Sequence, residues 1–465
     1  MTAEAFKDQE SFWDEDFLRR YDVRGPRYTS YPGAQVFNVG YGAAEHESFL
    51  QSARNSIDPV SLYVHIPFCE NICYYCACNK IVTRDHSKAE EYLHYLYKEA
   101  SMIADRIGKH RPVTSLHFGG GTPTFLDQGQ LTELVYKLAT DFWFSSEKER
   151  EFSIEIDPRT VGCDTLGLLK GLGFNRVSMG VQDFSPAVQR AINRLQSRDH
   201  VAELTQAARD FGFHSVSYDL IVGLPKQTAA SFSETIAEVV ELRPDRVALY
   251  NYAHLPEQFP SQRALDRLTM PDADDKLKMM CVAAGALLSN GYRYIGMDHF
   301  VLESDEMASA ARSGRLQRSF QGYSVISAPE TIGLGVSGIS TLAHCYAQNH
   351  KTLDDYYASI DKGLLPIARG VPLKQDDIIR RDLINRLISQ LYLDKKLFAQ
   401  DYDIDFDQYF IAANEGMRIA EHDGLLELEA NSIRVTERGR LLLRNICMLF
   451  DNYLDSSSTV FSRTI

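Results

Sequence analysis

The sequence contains no long apolar run, since no stretch approaches the roughly 20 apolar residues that span a bilayer. The amino terminus also lacks the basic and then apolar order of a secretory signal. We therefore expect a cytoplasmic protein without a membrane span.

The formal net charge is −14, and no basic stripe is present to neutralise phosphates, so we expect no nucleic-acid partner.

The sequence has no heptad run, and its eight cysteines do not form the pattern of a disulfide framework. Cys163, Cys281, Cys345 and Cys447 are scattered singly. The other four fall within ten residues: Cys69, Cys73, Cys76 and Cys78. This clustering indicates metal binding.

Short β-rich runs alternate with helical segments between about residues 61 and 296. The runs are SLYVHIP, SLHFG, FSIEID, RVSMGVQ, SVSYDLI, RVALYNY and YRYIG. Alternation of strand and helix predicts parallel pairing with right-handed crossovers. The fold class is therefore α/β, and the pattern is compatible with a full barrel, a partial barrel or an open doubly wound sheet.

At 465 residues the chain is long enough for one large domain and one or two smaller ones. We expect an N-terminal arm over residues 1–60, a catalytic domain over 61–366 and a mainly helical C-terminal domain over 367–465. The arm contains GPRYTSYP, whose composition argues against a regular element. The last domain contains helical segments and a short hairpin at LLELEANSIRVT.

Residues able to do chemistry follow the ends of the predicted strands. Cys69 follows SLYVHIP, Gly119–Thr122 follow SLHF, Glu155 lies late in FSIEID and Asp219 lies late in SVSYDLI. A barrel binds its ligands at the carboxyl ends of its strands. These positions therefore predict a single site.

The spacing of Cys69, Cys73 and Cys76 suits a 4Fe-4S cluster with three irons bound by thiolates and the fourth left open for a substrate. A structural zinc site and unligated core cysteines are the alternatives. Cys78 is either a fourth ligand or a neighbouring thiol, and we favour the neighbouring thiol. His65, His117, His254 and His299 flank the site, and we interpret them as hydrogen-bonded core residues rather than metal ligands.

Two further features near the cysteines are open to more than one interpretation. The GGGTPT segment lets the backbone approach a ligand closely, although such a turn is often only a tight connection. Glu155 lies in an otherwise apolar strand, where an unpaired carboxylate costs several kcal/mol. Its partner is either a ribose hydroxyl pair or an internal cation.

The segment HIPFCENICYYCACNK resembles the signature of the radical S-adenosylmethionine (SAM) superfamily. This resemblance implies a partial or full (β/α) barrel, a 4Fe-4S cluster on Cys69, Cys73 and Cys76, and SAM as the second cofactor. The open iron would chelate the methionyl group, and reductive cleavage would yield a 5′-deoxyadenosyl radical. The positions that the resemblance assigns to SAM are Tyr63, Tyr75, Gly120, Gly121, Thr122, Glu155, Gln182, Arg194, Asp219, Ala253 and Ile339.

Nearly the whole chain resembles the family of oxygen-independent coproporphyrinogen III oxidases, through GPRYTSYP, CACNKIVTR, FGGGTPT, DLIVGLPKQT, FQGY and RGRLLLRNICMLFD. The resemblance implies oxidative decarboxylation of two propionates of coproporphyrinogen III to vinyl groups, giving protoporphyrinogen IX in haem biosynthesis. It also implies a one-electron donor such as a flavodoxin or ferredoxin-like protein, and a monomer. The alternative is a related haem chaperone, which typically lacks the GPRYTSYP arm and the CNK continuation.

A substrate with four carboxylates needs local cations, because screening over about 8 Å limits the effect of the overall charge. Arg27, with Tyr28 and Tyr31, is our candidate for substrate contact, and Arg318 beside FQGY is a weaker one. Arg27 is otherwise a surface residue of an extended strap. The resemblance suggests a second SAM molecule, which we do not assign to residues.

Overall fold

One large sheet organises the molecule, and a computed structural model describes it for residues 14–146, 148, 150–454 and 463–464. The strands, in chain order, are β1 (Val60–Ile66), β2 (Phe68–Cys69), β3 (Ile81–Val82), β4 (Pro112–Gly120), β5 (Trp143–Phe144), β6 (Glu151–Ile156), β7 (Arg176–Gln182), β8 (Ser215–Val222), β9 (Arg246–Asn251), β10 (Tyr292–Gly296), β11 (His299–Leu302), β12 (Gln317–Ser319), β13 (Gly322–Ser324), β14 (Glu330–Leu334), β15 (Ile339–Thr341), β16 (Cys345–Asn349), β17 (Ile367–Pro372), β18 (Tyr392–Asp394), β19 (Leu426–Leu428) and β20 (Ser432–Val435).

Helices connect these strands and cover the sheet. They are α1 (Glu15–Tyr21), α2 (Ala43–Ala53), α3 (Ser87–Ile107), α4 (Gln128–Asp141), α5 (Cys163–Gly171), α6 (Pro186–Ala191), α7 (Arg198–Asp210), α8 (Ala229–Leu242), α9 (Ala273–Ser289), α10 (Glu306–Arg312), α11 (Leu353–Asp361), α12 (Gln375–Gln390), α13 (Lys395–Tyr402), α14 (Phe406–Tyr409), α15 (Asn414–His422), α16 (Glu437–Leu441) and α17 (Leu443–Met448). The helix α3 buries residues at three and four spacing, and α4 begins at a capping box between Asp127 and Gln130.

Six strands pair parallel in the order β1, β4, β6, β7, β8, β9, as the alternation of strand and helix predicts. The strand β14 pairs parallel on the other side of β1. Within the described part of the chain, the sheet order has two ends, at β10 and β17, so its pairing is that of a partial barrel rather than a closed one.

The expectation of parallel pairing is wrong for the run YRYIG, which forms β10. This strand pairs antiparallel with β11, and β11 pairs antiparallel with β9. Only Met297 and Asp298 separate β10 from β11, and both have positive φ. A connection this short permits a hairpin, whereas a parallel pair requires a crossover of a dozen residues or more.

The alternation of side chains along the strands separates an apolar face from a polar one. In β1, Val60, Leu62, Val64 and Ile66 are fully buried in the main core, beneath the helices. Ser61, Tyr63 and His65 point the other way, and Ser115 and His117 of β4 do the same. The interior of the partial barrel is therefore polar, and its carboxyl end carries ionisable groups.

The N-terminal arm and the C-terminal region pack together in a second core. This core contains Phe17, Leu18, Tyr28 and Tyr31 of the arm together with apolar residues of α12–α17. Arg444 of α17 donates from Nε to the Pro26 carbonyl at 3.0 Å, and also to the Gly25 carbonyl. The residues of GPRYTSYP form no helix or strand, as predicted. The arm is thus fastened by residues from the end of the chain.

The C-terminal region contains more breaks than its sequence pattern predicts. The predicted hairpin is present as β19 and β20, and β18 pairs with β20 to complete a small sheet. The predicted final helix is two short helices, α16 and α17. Across the described residues, no helix combines the length and apolar character that a bilayer crossing requires.

Candidate active site

The carboxyl ends of the parallel strands enclose a cavity of about 280 Å³, here called the cysteine cavity. Most of the predicted site residues line it: Cys69, Cys73, Tyr75, Cys76, Cys78, Gly120, Gly121, Thr122, Glu155, Gln182, Arg194 and Asp219. A larger cavity of about 900 Å³, here called the wide cavity, adjoins it and is lined by Tyr63 and Ile339. The two share Cys78, Lys80, Gly120, Glu155 and Tyr250. The structure therefore brings these residues together.

The three predicted cluster ligands face polar donors. The Cys73 thiol accepts from Arg159 Nη2 and from Arg194 Nη1, each at 3.4 Å. The Cys69 thiol accepts from the Thr122 hydroxyl at 3.4 Å. Cationic and hydroxyl donors favour the thiolate form, which is the form that binds iron. The donor set thus fits a thiolate-bound cluster.

The protonation of two of these thiols differs because their surroundings differ. Hydrogen bonding from Cys78 lowers the pKa of Cys76 to about 6, whereas burial raises the pKa of Cys69 to about 11. No three His, Cys, Asp or Glu side chains within the described ranges converge on one point.

The GGGTPT segment fastens the cysteine loop to the sheet. The Gly121 amide donates to Ile66 O and the Thr122 amide to Phe68 O, both at 2.8 Å. A Cβ on Gly121 would lie 2.7 Å from the Phe68 carbonyl oxygen, and Gly120 has a φ of +112°. Only glycine meets both conditions without displacing the backbone.

Glu155 has hydrogen-bond partners within the protein, but no arginine or lysine of the described residues pairs with it, so the choice between an internal salt bridge and ribose hydroxyls stays a prediction. Its Oε1 lies 3.2 Å from His117 Nε2, and its Oε2 accepts from the Gly120 amide at 3.3 Å. Burial raises the pKa of Glu155, but the His117 and Gly120 hydrogen bonds outweigh it and hold the pKa below its ordinary value. The side chain is still 43% exposed to the cavity, so a ligand can reach it.

Asp157 and Arg159 belong to the site, and sequence reasoning missed both. The Asp157 carboxylate accepts from Arg159 Nη2 at 2.6 Å and from Arg194 Nη1 at 3.0 Å. Arg194 also donates from Nη2 to the Gly180 carbonyl at 2.6 Å. The signal was the position of Asp157 directly after β6 and two residues beyond Glu155, which places both carboxylates at the carboxyl end of that strand.

Asp219 is the second acid of the polar face. Its Oδ2 accepts from the Ser178 hydroxyl at 2.9 Å. Burial, and next the charge of Glu155, raise the pKa of Asp219 to about 7. Gln182 ends β7 with a φ of +65°, where the β7–β8 register shifts. The strand thereby turns its end into the cavity.

Gln262 is another site residue that sequence reasoning missed. Its Nε2 donates to Tyr75 O at 3.0 Å and to Ala253 O at 3.3 Å, while its Oε1 accepts from the Leu255 amide at 2.6 Å. The side chain is almost fully buried. Ala253 thus lies beside the cysteine loop, although its side chain lines neither cavity. No sequence pattern marks a glutamine for this role.

The proposed substrate residues Arg27 and Tyr31 line neither cavity. Arg27 Nη2 donates to the Asn251 carbonyl at 3.1 Å, at the carboxyl end of β9. Tyr31 is buried, and its hydroxyl accepts from the Asn452 amide at 3.1 Å. Arg27 therefore borders the site, while the Tyr31 side chain packs against the C-terminal region.

All four histidines are hydrogen-bonded, as predicted, but His254 is exposed and is therefore not the core residue that we predicted. His65 lies within hydrogen-bond distance of the Tyr63 hydroxyl and the Asn79 carbonyl. His117 lies within hydrogen-bond distance of Ser153 and Glu155. His254 lies between Tyr252 and Asp266, and His299 Nδ1 lies 2.6 Å from the Met297 carbonyl.

A parallel sheet with a three-cysteine loop and a glycine turn at its carboxyl edge defines the class of radical SAM enzymes. The family model described as Radical SAM superfamily matches residues 63–239, and that of the HemN C-terminal domain matches residues 373–442. The cofactors of this class are a 4Fe-4S cluster and SAM.

Curated relatives match over nearly the whole chain. Oxygen-independent coproporphyrinogen III oxidase of Pseudomonas aeruginosa is 47% identical and covers 97% of this chain and 99% of its own; the Escherichia coli enzyme is 44% identical over 98% and 99%. The solved structure of coproporphyrinogen III oxidase (HemN) from Escherichia coli, a radical SAM enzyme, superposes with a TM-score of 0.90 over 95% of this chain and 99% of that one, at 44% identity. The chain belongs to the family of oxygen-independent coproporphyrinogen III oxidases.

Proposed function

We propose that this chain catalyses the oxygen-independent oxidative decarboxylation of two propionates of coproporphyrinogen III to vinyl groups, giving protoporphyrinogen IX. The observation that carries the proposal is the cysteine cavity, which gathers three thiols, the glycine turn and the Glu155 carboxylate in a chain that matches its oxidase relatives from end to end. The GPRYTSYP arm and the CNK continuation favour this reaction over haem delivery by a chaperone.

Each side chain of the cysteine cavity has a proposed task. Cys69, Cys73 and Cys76 hold the cluster, and Cys78 stays a neighbouring thiol. When bound, the cluster supplies the electron that cleaves SAM reductively and starts radical chemistry. Glu155 accepts from the ribose hydroxyls, and Gly120, Gly121 and Thr122 receive the methionyl amino group.

Other residues complete the proposed SAM pocket. Arg194 orients the methionyl carboxylate through its planar fork. The remaining contacts come from Tyr63, Tyr75, Gln182, Asp219, Ala253 and Ile339. The wide cavity lies beside Glu155 and Tyr250, and it offers the substrate a site next to the cofactor. A reacting carbon must approach to within about 3.5 Å in such chemistry.

The division into an arm (1–60), a catalytic domain (61–366) and a C-terminal domain (367–465) remains part of this proposal, as does a monomeric state. The proposal also includes a one-electron donor of the flavodoxin or ferredoxin type and a cytoplasmic location. All eight cysteines are free thiols, which a reducing compartment maintains.

Anaerobic turnover tests the proposed activity. Reconstituted protein is mixed with SAM, a one-electron reductant, an electron acceptor and coproporphyrinogen III, and the products are followed by mass spectrometry. We expect loss of two carboxyl groups per tetrapyrrole together with formation of 5′-deoxyadenosine. An unchanged tetrapyrrole in cluster-loaded protein would contradict the proposal, and haem titration would then test the chaperone.

A further inference from the structure

A third cavity, here called the hairpin cavity, lies beyond the wide cavity and measures about 570 Å³. It is enclosed by Thr29 and Ser30 of the arm, by the β12–β13 hairpin and by α12. Its lining shares Phe320, Gln321 and Thr331 with the wide cavity. A ligand in the wide cavity can therefore extend past the tip of the hairpin.

Arg318 lines the hairpin cavity and has no anionic partner. Its Nε and Nη1 atoms are buried without a hydrogen-bond acceptor, and no carboxylate of the described chain lies within ion-pair distance. The guanidinium lies over the Tyr323 ring at 4.8 Å, and the tyrosine hydroxyl donates to the Ile388 carbonyl. Arginine stays charged in proteins, so burying it without an anion is unfavourable.

Two other polar groups of the same cavity also lack partners, namely Gln321 Nε2 and Ser389 Oγ. Both atoms are almost fully enclosed by protein, so the half-buried Arg318 carries the charge of this part of the cavity wall. A carboxylate carries acceptors only, and it pairs best with a planar guanidinium. The lining therefore favours a carboxylate ligand.

The other charged groups of the hairpin cavity are already engaged. Arg381 donates to the carbonyls of Leu342 and Ala343. Arg386 pairs with Asp382 at 2.8 Å, and Asp382 also accepts from the Tyr402 hydroxyl at 2.9 Å. Among the described residues, Arg318 is thus the arginine of this cavity whose guanidinium has neither a carboxylate nor a carbonyl acceptor.

We propose that Arg318 binds a carboxylate of the tetrapyrrole substrate in the hairpin cavity, and thereby determines how the substrate is seated. This inference rests on the proposed function, since a substrate with four carboxylates extends beyond the propionate that reacts. Arg318 then acts on substrate affinity and orientation, while the cysteine cavity performs the chemistry.

The test compares Arg318→Met and Arg318→Lys with wild-type holoenzyme. We expect Arg318→Met to weaken binding of coproporphyrin III, the oxidised and stable form of the substrate, by roughly 30-fold or more, because truncating one partner of a buried charge pair costs about 2 kcal/mol or more. The lysine variant keeps the charge but lacks the fork, so its affinity should be intermediate. Arg315→Met, at an exposed position three residues away, is the matched control and should leave affinity unchanged.

Three further readouts separate binding from folding. Neither the affinity for SAM nor the melting temperature of Arg318→Met should fall, because Arg318 does not line the cysteine cavity and forms no ion pair with a described residue. The tetramethyl ester of coproporphyrin III should bind the wild type and Arg318→Met equally. Unchanged binding of the free acid in Arg318→Met would overturn the inference.

Turnover distinguishes this inference from the proposed function. If the wild type decarboxylates the substrate and Arg318→Met binds coproporphyrin III as tightly as the wild type, the carboxylate site is refuted and the proposed function stands. If Arg318→Met binds coproporphyrin III more weakly than the wild type but the wild type decarboxylates nothing, the proposed function is refuted and the carboxylate site stands. A wild type that binds no tetrapyrrole refutes both.

Discussion

The two ends of the parallel sheet differ in how many of their carboxylates are paired. At the amino end, Arg246 pairs with Asp305 at 2.9 Å, and Arg176 lies 3.5 Å from Glu151. At the carboxyl end, Asp157 is paired with Arg159 and Arg194, but Glu155 and Asp219 have no arginine or lysine partner among the described residues and face a cavity. Charged groups that are paired within the protein stabilise the fold, whereas carboxylates with unused hydrogen-bond acceptor positions can bind a ligand.

The largest expected effect concerns the thiols of the carboxyl end. Cys76→Ser should reduce turnover to background, because the cluster loses one of three thiolates. Iron content and the EPR signal of the reconstituted protein measure this. Cys78→Ser is the matched control, two residues away, and should retain the cluster; loss of the cluster in that variant would make Cys78 a ligand and contradict our assignment.

The next largest effect belongs to the amino end. Arg246→Met leaves the Asp305 carboxylate buried without its cation, so the free energy of unfolding should fall by about 3–5 kcal/mol. Urea denaturation measures the change. Arg312→Met breaks an exposed pair with Glu303 and should cost less than about 1 kcal/mol. Equal losses in both variants would remove the contrast between buried and surface pairs.

Two glutamates on one strand sharpen the comparison directly. Glu155→Gln should weaken SAM binding by about 10- to 100-fold, since a hydrogen bond to a charged group contributes about 1.5–3 kcal/mol. Isothermal titration of the reconstituted protein measures the affinity. Glu151→Gln, four residues away at the other end of β6, should leave SAM affinity unchanged while lowering stability. If Glu151→Gln weakened SAM binding and Glu155→Gln did not, the position of a glutamate along β6 would not determine whether it binds SAM.

The last prediction is the pH dependence from Asp219. Its pKa of about 7 in the folded protein exceeds the unfolded value, so the folded state binds the proton more tightly. Its contribution to stability is therefore complete at low pH and is lost as pH rises from about 4 to about 7. Asp219→Asn should be more stable than wild type at pH 8, by up to about 4 kcal/mol, and equal to it below pH 4. Thermal melts at both pH values test the sign.

Sequence reasoning succeeded where a periodic pattern or a local spacing carries the information. The six parallel strands were predicted because their β-rich runs alternate with helical segments along the chain. The meeting of Cys69, Thr122 and Glu155 was predicted because parallel strands present their carboxyl ends at one edge.

The parts that escaped prediction depend on contacts between distant segments. The role of Gln262 depends on the path of a loop that no periodicity describes. The break in the predicted final helix follows packing of α16 and α17 against β10 and the arm. The antiparallel β10 was predicted as parallel because its composition matches the other strands, and only the short Met297–Asp298 turn distinguishes it.

The attachment of the arm by Arg444 has a consequence for biosynthesis. The arm is made first, but the guanidinium that fixes Gly25 and Pro26 is 418 residues or more later in the chain. Until that part leaves the ribosome, Thr29 and Ser30 lack the surface against which they enclose the hairpin cavity. The final enclosure of the hairpin cavity therefore follows synthesis of the segment that contains Arg444.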